Sequence, residues 1–157
     1  MTLAAKLDFF KAAYAEESLR EQQLRTYSNN YLGLATAYTG FLFFVVEKAR
    51  PNEWLSWATF LLTAGALSFG LGLSLLASKV ARYEALFGPE QMASEVAHAE
   101  DDFLLSRIAD YTVACERNAA VNDRKATLLE LATYSFVVGV VLSALYFVIL
   151  LRHGIHP

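Results

Sequence analysis

Three uncharged apolar stretches dominate the hydropathy pattern of the chain: Tyr27–Val46, Trp54–Ser78 and Leu131–Leu151, each 20 residues or longer. A helix of roughly 20 residues crosses a hydrocarbon core about 30 Å thick. Soluble core helices rarely stay free of charge for so long. The pattern predicts an all-α integral membrane protein with three transmembrane helices. Between and before them lie charged stretches, residues 1–26 and 79–130, that read as a long helical cytoplasmic stalk.

Residues 3–26 carry Leu3, Leu7, Phe10 and Tyr14 at helical spacing, with no Gly or Pro to interrupt them. This helix is expected to run straight into the first span as one rod of roughly 45 residues. Arg50-Pro51-Asn52 ends it, and Trp54 and Trp57 follow where an interfacial aromatic anchor belongs. The second span is expected to continue to about Phe87 and to stop at Gly88-Pro89. A third rod then runs from Pro89 to Leu151, with a break near Glu100–Asp102 as an alternative, because three adjacent acids repel. Its cytoplasmic part would be about 60 Å long if straight.

Charge sets the orientation. Ten of the thirteen Lys and Arg residues fall in 1–26 and 79–130, against Lys48, Arg50 and Arg152 elsewhere. The positive-inside rule then puts the N-terminus in the cytoplasm and the C-terminus outside. The same cytoplasmic segments hold fourteen of the sixteen acids, so their net charge is 10 − 14 = −4. That balance argues against an anionic-lipid patch there. A net charge of −3 for the whole chain points to no nucleic-acid partner. The N-terminal 25 residues lack the apolar core of a signal peptide, so the first span is expected to act as its own insertion signal.

Two patterns within this frame carry candidate function. Small residues recur every fourth position: Ala66, Gly70, Ser74 and Ser78 on the second span, Ala64, Ser68 and Gly72 on its adjoining face, and Ser135, Gly139 and Ser143 on the third. Such stripes let helix backbones approach closely in lipid. Packing within one subunit, packing between subunits and a hydroxyl-lined pore are all compatible with them. On the subunit reading, Gly70→Leu is expected to abolish assembly. The second pattern is a 4–3 seam of Leu104, Ile108, Tyr111, Cys115, Asn118, Asn122, Lys125, Leu129 and Ala132. It turns polar just before the third span. Asn at a seam position sets register and oligomer state at some cost in stability. The other reading is an aqueous vestibule of Asn118, Asn122 and Lys125 over a pore, where Lys125 would disfavour cations. Asn30, at the mouth of the first span, is a candidate partner for Asn122 or Thr133.

No Asp, Glu, Lys, Arg or His lies within the three spans, which weighs against a pump or secondary transporter. Haem between spans would need an intramembrane His. His98 stands near Glu95, Asp101 and Asp102, and His153 and His156 lie in the tail. A solvated acidic face and a fraying tail account for them better than a metal site. No phosphate loop or nucleophile motif is present, and the one cysteine, Cys115, reads as a small seam residue. No catalytic residue, metal or cofactor is expected.

The helical N-terminus, the tight two-span hairpin and the Asn118-xxx-Asn122-xx-Lys125 run leading into a last span resemble the small membrane effectors of bacterial anti-phage systems, the Pycsar transmembrane and SLATT-type effectors. The resemblance implies an inner-membrane protein that assembles and disrupts the bilayer when a nucleotide signal or protein partner arrives. In the Pycsar type an Asp–Lys pair is expected near the cytoplasmic mouth of the first span. This chain has Tyr27-Ser28-Asn29-Asn30-Tyr31 there. With no separate nucleotide-binding domain, a signal would be read by the helical rods or by another protein. The expectation is a cyclic homo-oligomer forming a gated pore or membrane-disrupting effector. The alternative is a non-conducting anchor or accessory subunit whose stalk docks a soluble partner.

Overall fold

A computed structural model describes residues 2–49, 54–79 and 99–153. They form three helices: α1 (Leu3–Ala49), α2 (Trp54–Lys79) and α3 (Glu100–His153). All three are long and apolar enough to cross a membrane. The expected stop at Gly88-Pro89, the start at Pro89 and His98 lie outside the described residues.

Local chemistry explains the helix ends. Thr2 caps α1: its Oγ1 accepts the Ala5 amide at 3.3 Å and its carbonyl accepts the Lys6 amide at 3.0 Å. Ala99 is not helical, and its carbonyl accepts the Phe103 amide at 3.0 Å as α3 begins. An unbroken rod from Pro89 is therefore not what forms. Glu100, Asp101 and Asp102 occupy the first turn of α3. There the partial positive charge of the helix N-terminus stabilises acids that would repel one another in mid-helix. Lys48 and Lys79 occupy the last turns of α1 and α2, the complementary arrangement.

The chain divides into two units. One holds 1–25 and 80–124, the other 26–79 and 125–157.

The second unit is an apolar three-helix bundle. Tyr27 meets Thr133, Tyr38 meets Ser143 and Phe41 meets Phe147, so α1 and α3 run parallel. Ser28 meets Ser74 and Phe43 meets Phe60, so α2 runs against them. Buried positions recur at steps of three and four on every helix. On α2 they include Ser56, Phe60, Thr63, Leu67, Gly70, Ser74 and Ala77. On α1 the series includes Ser28, Tyr31, Ala35, Leu42, Val46 and Ala49, and on α3 Leu129, Ala132, Ser143, Tyr146 and Leu150. A mean step of 3.5 keeps one seam facing its partners along the whole helix.

The outside of this unit is strongly apolar, and hydroxyls share its inside with Leu42, Phe60 and Leu67. Leu34, Leu61, Phe69 and Val141 are each more than 60% exposed. Ser28, Ser56, Thr63, Ser74 and Ser143 are at most 3% exposed. Water would penalise so large an apolar surface, and lipid does not.

The first unit is described over 2–25 and 99–124. Among its described residues Leu7 and Ala114 are buried apolar side chains, and Arg107, Asn118 and Asn122 are buried as well. Tyr14 and Tyr111 pack edge to face with centroids 5.7 Å apart. The Arg107 guanidinium lies 5.4 Å from the Phe103 ring centre.

Candidate functional site

The apolar unit is held together by hydroxyls and by backbone contact at small residues. Gly70 sits where a methyl group would run into the Tyr31 hydroxyl and lie 3.1 Å from the Ala132 carbonyl oxygen. That hydroxyl donates to the same carbonyl at 2.8 Å. Only glycine lets α2 approach this closely. A methyl group at Gly139 would lie 2.7 Å from Leu67 Cδ2 and 2.9 Å from its Cγ.

The remaining candidates complete the seam. Ser135 Oγ donates to the Ala66 carbonyl at 2.6 Å. The Ser28 and Ser74 hydroxyls are 3.1 Å apart. Ser143 bonds the Tyr38 hydroxyl and also donates to the Val140 carbonyl at 2.7 Å. The Tyr27 and Thr133 hydroxyls are 2.9 Å apart. Interhelical hydrogen bonds in lipid contribute about 0.6 kcal/mol each on average. The stripe Ala66, Gly70, Ser74 and the stripe Ser135, Gly139, Ser143 thus serve packing within one chain. Gly70→Leu would damage the protomer before it touched any assembly, so that substitution is no test of an oligomer interface.

Other small positions are left open. Gly33, Gly40, Gly65 and Gly72 have nothing within 4 Å of where a Cβ would stand. Ser68 and Thr36 are exposed beside them.

Toward the other end of the unit, Ser56, Thr59 and Thr63 are buried on α2. Thr63 donates to the Thr59 carbonyl at 2.8 Å and Thr59 to the Leu55 carbonyl at 3.0 Å, so these hydroxyls satisfy themselves on their own helix. Tyr146 is fully buried against Val46, Ala49, Phe60 and Leu150, and its hydroxyl has no hydrogen-bond partner among the described residues.

Asn30 faces outward. It falls between the seam positions Ser28 and Tyr31, one residue out of phase. Thr133 is engaged by Tyr27 and by the Leu129 carbonyl. Lys125 is buried in the apolar unit.

In the polar unit, Asn118 and Asn122 are 1% and 0% exposed. Asn122 Nδ2 donates to the Glu17 backbone carbonyl at 3.0 Å and to Glu17 Oε2 at 2.8 Å. Its Oδ1 is buried with no partner among the described residues. One turn along, Arg20 Nη2 pairs with Asp123 Oδ1 at 2.7 Å, and Arg20 Nη1 lies 3.7 Å from Glu17 Oε1. Two made hydrogen bonds contribute about 1 kcal/mol each, and an exposed ion pair about 0.2–1 kcal/mol. Leaving a buried acceptor unmade costs about 1–3 kcal/mol.

Cys115 is half-buried on the same seam. Burial, and secondarily the negative charge of Glu17, pushes its thiol above the ordinary value. Both effects favour the protonated thiol.

Sequence reading missed Tyr31, Tyr38 and Tyr146 as interior residues, and Glu17 as the partner of Asn122. Continuing the 4–3 spacing along α3 and repeating it on α1 would have placed all four on seams. No family, curated protein or solved structure matches this chain.

Proposed function

We propose that the protein is an oligomeric membrane pore or membrane-disrupting effector, gated through the helices of its polar unit. The observation that carries this reading is the polarity of the apolar unit. Ser28, Ser56, Thr59, Thr63, Ser74 and Ser143 are buried among apolar residues such as Leu42, Phe60 and Leu67, while large apolar side chains cover the outside of three candidate spans. When such helices part, water meets Ser and Thr, and the displaced hydrogen bonds are worth only about 0.6 kcal/mol each. The open faces around Gly33 and Gly40 on α1 and around Gly65 and Gly72 on α2 suit contact between copies. The N-terminus is assigned to the cytoplasm of the bacterial inner membrane, and Lys125 to a position that disfavours cations. The resemblance to anti-phage membrane effectors supports a role in killing infected cells, with a nucleotide or a soluble protein as trigger.

A second reading has its own support. The hydroxyls of the seam are largely spent on bonds within the protomer. A bundle so satisfied suits a non-conducting anchor whose polar unit docks a soluble partner. Reconstitution into liposomes separates the two. The pore reading expects ion flux from the wild type, and loss of flux and of oligomer in Gly72→Leu with protomer stability unchanged. A wild type that stays silent with and without candidate nucleotides would leave the anchor.

A further inference from the structure

The charge-free runs on the three helices of the apolar unit begin and end at matching heights. They extend from Tyr27 to Glu47 on α1, from Trp57 to Lys79 on α2 and from Glu130 to Arg152 on α3. At about 1.5 Å per residue each run is about 30–33 Å long. Contacts between the helices tie the ends together. Val46, Phe60 and Leu150 share one buried cluster, and Glu47, Trp57 and Arg152 each lie within a turn of one of its members. At the opposite end the Tyr27 and Thr133 hydroxyls are 2.9 Å apart, and the Ser28 and Ser74 hydroxyls 3.1 Å apart. Glu130 lies one turn beyond Thr133, and Lys79 just over one turn beyond Ser74.

Aromatic rings with a polar edge mark the same two heights. Trp54 and Trp57 are 79% and 44% exposed at one, and Tyr27 and Tyr134 are 48% and 61% exposed at the other. The Tyr134 hydroxyl donates to Glu130 Oε1 at 3.2 Å, at the charged edge of the run. Between these heights α3 exposes Val138, Val141 and Leu145, and its one glycine, Gly139, is turned inward against Leu67. Open glycines interrupt the outer faces of α1 and α2 instead. Trp and Tyr concentrate where headgroups meet hydrocarbon, and Lys and Arg reach from there to lipid phosphates. Small residues mark the faces that other helices approach, and the outer face of α3 has large ones.

We infer that the apolar unit stands nearly upright in a bilayer whose hydrocarbon core is about 30 Å thick, with one headgroup boundary at Trp54, Trp57 and Arg152, the other at Tyr27, Tyr134 and Lys79, and lipid, not a second copy, against the outer face of α3. A tilt of about 20° shortens a run of about 33 Å to about 31 Å, so the fit excludes a steep slant. Val141 stands midway between Glu130 and Arg152, at the bilayer centre. The inference rests on the membrane-spanning part of the proposed function and holds whether or not the protein conducts.

The test places the full chain in phosphatidylcholine bilayers. Trp54 and Trp57 are its two tryptophans, so the wild type reports one boundary without substitution. Lipids brominated near the glycerol quench this emission more than lipids brominated near the chain end. Nitroxides on Val141→Cys and Tyr134→Cys, in a Cys115→Ser background, then report depth by collision. The Val141 label is mobile, reached by oxygen and shielded from a water-soluble nickel chelate, and the Tyr134 label shows the reverse preference. Across acyl chains of about 14, 18 and 22 carbons the wild type unfolds slowest at the middle length, and several-fold faster at the others. Stronger quenching from the chain end, or nickel reaching the Val141 label, overturns the boundaries. A Val141 label immobilised and shielded from both reagents means that a second copy covers α3. Equal unfolding rates at all three lengths overturn the thickness match. Each of these results is independent of ion flux, which tests the pore reading separately.

Discussion

Gly70→Ala tests the closest helix approach in the apolar bundle. The added methyl would collide with the Tyr31 hydroxyl and sit 3.1 Å from the Ala132 carbonyl and 3.4 Å from Ser135 Cβ. Tyr31 cannot swing aside freely, because its ring packs on Phe136 at 5.9 Å and its hydroxyl is bonded to Ala132. Overpacking of this kind costs about 1–3 kcal/mol. Replacing glycine in a helix returns up to about 1 kcal/mol. The net expectation is a loss of about 1–2 kcal/mol. Tyr31→Phe alone removes one interhelical bond, worth about 0.6 kcal/mol. In the double variant the missing hydroxyl makes room for the methyl, so most of the Gly70→Ala loss returns. Rescue stays partial because the Ala132 carbonyl remains close. Unfolding in mixed detergent micelles, read by steric trapping, gives all four corners of the cycle. Costs that add in the double variant, or a Gly70→Ala protein as stable as wild type with Tyr31 intact, would refute the packing argument.

Three further outcomes follow from the same geometry. Gly139→Ala should destabilise by about 1–3 kcal/mol in the same assay, because Leu67 must leave its rotamer to admit the methyl. Tyr146→Phe should be neutral or stabilising by up to about 1 kcal/mol, since its buried hydroxyl lacks a partner among the described residues; a loss of stability would mean that something satisfies it. Cys115 should alkylate more slowly than a free thiol at pH 8 and catch up only above the ordinary thiol range. The sign follows from linkage: the folded chain keeps the proton longer, so the Cys115 contribution to stability is whole below the ordinary thiol pKa and falls as pH rises through it toward the folded value.

Much of the fold was legible because lipid imposes a simple rule on composition. Uncharged runs of 20 residues or more marked the apolar helices, and the absence of Gly and Pro over 3–26 marked α1 as continuous. The start of α3 was less legible, because three adjacent acids repel in mid-helix yet are stabilised in a first turn, and sequence alone does not say which applies. The small-residue stripes pointed to close packing, but not to which neighbour was approached. Gly70 and Gly72 look alike in sequence, yet Gly70 meets Tyr31 and Gly72 meets nothing. Asn122 stood out as a polar seam residue. Its partner did not, since a glutamate such as Glu17 on an exposed-looking stretch reads as a solvated charge. Phase separates Asn30 from Ser28: a displacement of two residues turns a polar side chain from the seam to the outside.

Conduction through this bundle requires its buried hydroxyls to become wet. Planar-bilayer recording of Thr63→Cys in a Cys115→Ser background addresses it most directly, because Thr63 is 1% exposed at rest. The pore account predicts stepwise conductance, and its block by a charged, membrane-impermeant thiol reagent added while the protein conducts. Conductance that the reagent never alters, or a stable membrane protein that never conducts, would contradict it.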